Sequence, residues 1–187
     1  MKNVLMLAII FIGFVSAAHS QNNPDQAGMP QWLKSHFEFM TEGTGRWITD
    51  NSKFKSENEP FDEYGTEWAW GVGKKSIKGR LFGLKDKKEV ATFWEYRVFW
   101  HPLEKRAVFQ QFGAGGVFGI GEMRVIGLPD GKSENLTEAT FYNPDGTNRK
   151  DLHKLTENKD EHTTQSFSFE NGSWELRRVY IWRRAPK

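Results

Sequence analysis

The feature that most limits how this chain can fold is an alternation of large and small or polar residues, interrupted at short intervals by turn residues. Successive side chains of a strand point to opposite faces, so a period of two marks sheet with one face turned inward. From Tyr64 to Val72 the even positions are Tyr64, Thr66, Trp68, Trp70 and Val72, and the odd ones are Gly65, Glu67, Ala69 and Gly71. From Val90 to Trp100 the even positions again carry large residues, Val90, Trp94, Tyr96, Val98 and Trp100. The odd face of that stretch mixes Phe93 and Phe99 with Glu95 and Arg97.

Shorter patterns predict strands at 45–50, 76–84, 106–112, 117–126, 136–142, 161–169 and 173–183. Turn chemistry separates them: Lys85-Asp86-Lys87-Lys88, Gly113-Ala114-Gly115-Gly116, Leu128-Pro129-Asp130-Gly131, Asn143-Pro144-Asp145-Gly146 and Asn171-Gly172. His101-Pro102 ends a strand because proline cannot donate to the ladder. The charged stretch 148–160 fits a strand or a loop. One helix is predicted over 30–40, where Trp32, Leu33, His36, Phe37 and Met40 recur every three or four residues behind Pro30. Many short strands at even spacing favour a closed barrel or a sandwich. The expected fold is all-β: an antiparallel up-and-down β-barrel of eight to ten strands with a short N-terminal helix, one domain over residues 29–187.

Residues 1–20 read as a secretory signal peptide. Lys2 precedes an apolar run from Val4 to Val15, and Ala18-His19-Ser20 suits a cut after Ser20. The run is shorter than the roughly 20 residues of a spanning helix. Residues 21–28 form a polar, flexible leader, and a secreted or periplasmic location without stable membrane insertion follows. With 26 basic and 24 acidic side chains there is no global basic field for nucleic acid. The absence of cysteine excludes disulfides, thiolate–metal sites and a thiol nucleophile, so an exported chain of this kind must be held by its core alone.

Gly45-Arg46-Trp47, at the first strand just after the helix, resembles the opening of the calycin group, which includes lipocalins and fatty-acid-binding proteins. The resemblance implies that Gly45 and Trp47 close one barrel end and that Trp47 packs against an arginine of the last strand, where Arg177, Arg178, Arg183 and Arg184 are available. Leu176-Arg177-Arg178-Val179-Tyr180 is similar to the Arg-x-Tyr strand of fatty-acid-binding proteins, which implies a carboxylate clamp at Arg178 and Tyr180. Residues 53–62 are too few for that family's helix pair, and the lipocalin disulfide is missing. The chain looks most like uncharacterised lipocalin-like domains of exported bacterial proteins.

Two readings of the aromatic faces compete. Trp68, Trp70, Trp94, Tyr96 and Trp182, with Trp100 and Trp174, line a cavity in one and fill a solid core in the other. Arg178 and Tyr180 share a strand face with Trp174, Leu176 and Trp182, and serve as an anion clamp; alternatively Arg178 is the partner of Trp47 or a solvated charge. Glu95, Arg97, Glu122 and Arg124 are expected as outer-face charges. His36, His101, His153 and His162 lack metal-ligand spacing and read as exposed turn residues; no metal or other cofactor is expected, and haem finds no histidine on the last strand. The glycines at 113–116 lack dinucleotide-loop spacing, and no Gly-x-Ser-x-Gly is present.

The expected function is an exported lipocalin-like barrel, monomer or homodimer, that binds a small apolar molecule, neutral or anionic. The ligand-binding residues would be Arg178, Tyr180, Trp68, Trp70, Trp94, Tyr96 and Trp182, with no catalytic residue assigned. The alternatives are a barrel enzyme of isomerase or cyclase type using an internal carboxylate or histidine, and a filled barrel acting as an interaction module.

Overall fold

The computed structural model describes residues 28–129 and 132–186; the expected signal peptide, nearly all of the leader and Asp130-Gly131 lie outside them. Helix α1 (Gln31–Thr41) begins after Pro30, an extended N-cap residue (φ −63°, ψ 150°), and buries Leu33, His36, Phe37 and Met40 along one stripe. Ten strands follow: β1 (Arg46–Asp50), β2 (Glu63–Trp70), β3 (Ser76–Lys85), β4 (Lys88–His101), β5 (Arg106–Gly113), β6 (Phe118–Gly127), β7 (Ser133–Tyr142), β8 (Asn148–Asn158), β9 (Glu161–Glu170) and β10 (Ser173–Arg184). Each pairs antiparallel with the next, and β10 returns to β1 through Trp47 opposite Arg184 and Ile48 opposite Arg183. Among the described residues the fold is an all-β, antiparallel, up-and-down barrel of ten strands with one short N-terminal helix.

Tight turns set the register. Asp86 and Lys87 both take positive φ, as do Asn171 and Gly172, the backbone that two-residue hairpins require. The ambiguous stretch 148–158 is a full strand, paired along both edges with β7 and β9. Its cavity-lining residues are Arg149, Asp151, His153 and Leu155, so polar groups inside the barrel had hidden the alternation.

Three expectations are corrected. Val72 is not in a strand; it sits in a single helical turn (Val72–Lys74) and is 96% exposed. Between β3 and β4 the register passes from Leu81 opposite Trp94 to Phe82 opposite Thr92, leaving Phe93 unpaired. This bulge turns both Phe93 and Trp94 inward and reverses the parity beyond it, so Val90 is exposed rather than inside. A second bulge leaves Arg177 unpaired between Leu176 and Arg178. Arg178, Tyr180 and Trp182 face inward, whereas Leu176 is exposed and Trp174 packs edge-on against the exposed Phe169. Glu95, Arg97, Glu122 and Arg124 are exposed, as expected.

Helix α1 closes the end where β1 begins and β10 finishes. Trp47 is fully buried and its Nε1 donates to the Met40 carbonyl at 3.0 Å. The Arg184 guanidinium lies 4.2 Å over the Trp47 ring and donates to the carbonyls of Glu42 at 2.9 Å and Phe39 at 3.4 Å. One cation thus stacks on the closing tryptophan and neutralises the C-terminal end of a helix whose own last turn has no basic residue. Gly45, with φ of +66°, passes so close to β2 that a Cβ there would lie 2.0 Å from the Trp68 carbonyl oxygen. The core around this closure includes Leu33, Phe37, Ile77 and Val98, each worth about 1.5–3 kcal/mol when fully buried.

Candidate functional site

The barrel is hollow. A cavity of about 650 Å³ runs from the α1 floor, where His36 and Met40 line it, to a strap at the opposite end carrying Asn58, Glu59 and Phe61. An eight-stranded barrel leaves room for little beyond its own side chains, and diameter grows with strand number, so ten strands leave space. The volume lies within the usual range of small-molecule sites, about 300–1,000 Å³.

The wall has two characters. On β2 to β5 it is mainly aromatic and aliphatic. Trp68 stacks on Tyr96 with ring centroids 5.3 Å apart and 19° between planes. The contact crosses β3, and Gly79 makes it possible: a Cβ there would lie 2.6 Å from the Trp68 ring. Trp94 meets Phe141 edge-on at 5.9 Å. Burial pushes the Tyr96 phenol well above the ordinary tyrosine value, so it stays uncharged.

From β7 to β10 the wall is polar. His153 Nδ1 lies 3.0 Å from Ser166 Oγ, and burial lowers its pKa against the opposing effect of Asp151. His162 stacks on Trp182 at 5.9 Å and meets Trp47 edge-on at 4.8 Å. Burial, helped by His36 and Arg184, lowers its pKa to about 3, so its imidazole is neutral at pH 7. At the floor, Glu157 binds His36 Nδ1 at 2.6 Å and accepts from Asn135 Nδ2 at 3.0 Å. Three of the four histidines expected at exposed turns, His36, His153 and His162, are therefore interior groups. Among the described residues no three His, Asp or Glu side chains stand together as a metal site.

At the strap end Arg178 and Tyr180 do share the inner face, and Arg178 Nη1 donates to the Tyr180 hydroxyl at 3.1 Å. Their anion is Glu59 of this same chain. Arg178 Nη1 donates to Glu59 Oε2 at 2.7 Å, Nη2 donates to Oε1, and the Tyr64 hydroxyl donates to Oε2 at 3.0 Å. These donors hold the Glu59 carboxyl below the usual range and raise the Arg178 pKa in turn. The Tyr180 hydroxyl donates to Asn51 Oδ1 at 2.8 Å, and Asn51 Nδ2 donates to the Phe61 carbonyl at 3.1 Å. The strap, residues 51–62, is thus fastened at both ends across the mouth. Arg178 and Glu59 remain about a third exposed, so solvent reaches the cavity from their side.

Of the residues proposed from sequence, Arg178, Tyr180, Trp68, Trp94, Tyr96 and Trp182 all line the cavity. Trp70 does not; it packs edge-on against Phe37 of α1 at 5.8 Å. Sequence reasoning missed Glu59, Asp151, His153 and His162. Parity exposes Asp151 and His153 once 148–158 is taken as a strand, but no local pattern marks Glu59, which lies in irregular chain.

The ten-strand closed barrel, with Arg184 of the last strand over Trp47, is compatible with a calycin-like fold. No family model matches the chain, and no curated protein matches its sequence.

Proposed function

We propose that this protein is an exported, lipocalin-like carrier that binds one small, largely hydrophobic molecule inside its barrel. The carrying observation is the 650 Å³ cavity with an aromatic wall on one side and a few polar groups on the other, the composition of a small-molecule site rather than of a packed core. The apolar run at residues 4–15 supports export. Trp68, Trp94 and Trp182 line the cavity, so an occupant alters their emission. Titration with fatty acids, retinoids, bile-acid-like compounds and hydroxylated aromatics is expected to shift or quench tryptophan fluorescence saturably for at least one class. A signal flat across the whole panel overturns the proposal.

A barrel enzyme is the second reading, and His153 favours it: a neutral imidazole facing the cavity, in contact with a serine hydroxyl and two residues from Asp151. Mass spectrometry of bound compounds after incubation separates the two, because a carrier returns its ligand unchanged.

A further inference from the structure

Five of the six buried side-chain polar atoms that have no protein partner among the described residues belong to cavity-lining residues. They are Thr66 Oγ1, Trp68 Nε1, Asp151 Oδ1, His162 Nε2 and Trp182 Nε1. Folded proteins satisfy the large majority of such atoms. Each of these five is itself shut off from solvent but sits on a residue that lines the cavity, so an occupant reaches it by a small side-chain shift. Their chemistry is specific. Indole Nε1 only donates, and a carboxylate only accepts. Thr66 and the neutral His162 can do either, with His162 Nδ1 3.4 Å from Thr164 Oγ1. A matching occupant brings acceptors to the two indoles and a donor to Asp151.

Charge narrows the class further. The two arginines lining the cavity are both paired, Arg178 with Glu59 and Arg149 Nε with Asp151 Oδ2 at 3.1 Å, and His36 is bonded to Glu157. Among the described residues an anion entering the cavity therefore meets no free cation unless it expels Glu59, and a buried charge without a counter-charge is costly. The opposite wall presents stacked and edge-on rings, which suit a flat π-system.

We propose, resting on the carrier reading, that the cavity takes an uncharged, flat aromatic molecule with hydroxyl or N–H donors and acceptor atoms on its rim, in preference to a fatty-acid anion. The test is isothermal titration of the purified protein with naphthalene, its monohydroxy and dihydroxy derivatives, naphthoate and laurate. Each hydroxyl is expected to tighten binding about three- to tenfold, the range of one well-made hydrogen bond. Naphthoate and laurate are expected to bind more weakly than dihydroxynaphthalene. In Asp151→Leu and Trp182→Phe the gain from hydroxyls, read as the ratio of dihydroxynaphthalene to naphthalene affinity within each variant, shrinks; the second variant retains a ring at its position. If the hydroxyls add nothing, or if naphthoate or laurate binds tightest, this inference falls and the carrier reading stands. If none of the probes binds, this inference falls, and the carrier reading stands or falls with the wider fluorescence panel.

Discussion

Gly79 shows how much of the site rests on single residues. Its missing side chain lets Trp68 cross β3 and stack on Tyr96. An alanine there restricts the unfolded chain, a gain of about 0.4–1 kcal/mol, but it also drives a methyl group to within 2.6 Å of the indole. Overpacking of this kind costs about 1–3 kcal/mol, so crowding wins. Gly79→Ala is expected to lower the urea midpoint and to weaken aromatic ligands; unchanged stability and affinity would mean that Trp68 moves aside freely. Arg184 was one of four candidate arginines in the sequence. What selects it is position: it lies directly opposite Trp47 in the closing register and within reach of the last carbonyls of α1. Arg178, six residues earlier on the same strand, meets Glu59 instead.

At the scale of elements, alternation located nearly every strand, because one face of each had to be inward. It failed where a bulge inserted Phe93 or Arg177 and reversed parity, and where β8 turned polar groups inward. The strap at 51–62 was legible only as a short connection. Its function follows from its fastening: Glu59 on Arg178, Tyr64 and, through Asn51, Tyr180. Because the Arg178–Glu59 pair is about a third exposed, water screens it, and its loss is expected to cost no more than about 1 kcal/mol. Glu59→Gln should therefore leave the fold intact while loosening the strap, so that ligand association, followed by stopped-flow fluorescence, becomes faster. An on-rate equal to that of the parent protein would show that ligands enter by another route.

The whole molecule combines a hollow interior with buried neutral histidines, and this ties stability to pH. His162 has a folded pKa of about 3 against an ordinary 6.5, and that of His153 is also lowered. Across that window the unfolded chain binds protons that the folded barrel refuses, so the stabilising contribution is complete above pH 6.5 and is lost as pH falls toward 3. Each affected histidine contributes a slope of up to about 1.4 kcal/mol per pH unit, which amounts to about 2 kcal/mol from His162 by about pH 5. Glu59, whose pKa is lowered from 4.5, adds its own loss only below that value. Urea midpoints are expected to fall between about pH 7 and pH 5, with a shallower fall in His162→Asn. A flat profile would show that these imidazoles take up protons inside the barrel.

The amino-acid sequence by itself determined most of the strands, their turns, the leading helix and the glycine and tryptophan at the closed end of the barrel. Those depend on local alternation, on backbone preferences at Asn171-Gly172 and Asp86-Lys87, and on a Gly-x-Trp ahead of an arginine-rich last strand. Only the tertiary structure decided that ten strands close around empty space, that Glu59 occupies Arg178, and that His153 and His162 belong to the interior. The physical reason is distance along the chain. Glu59 and Arg178 are separated by 119 positions, and His36 and Glu157 by 121. Periodicity tells which face a side chain occupies, but only closure of the sheet sets what stands across the cavity from it.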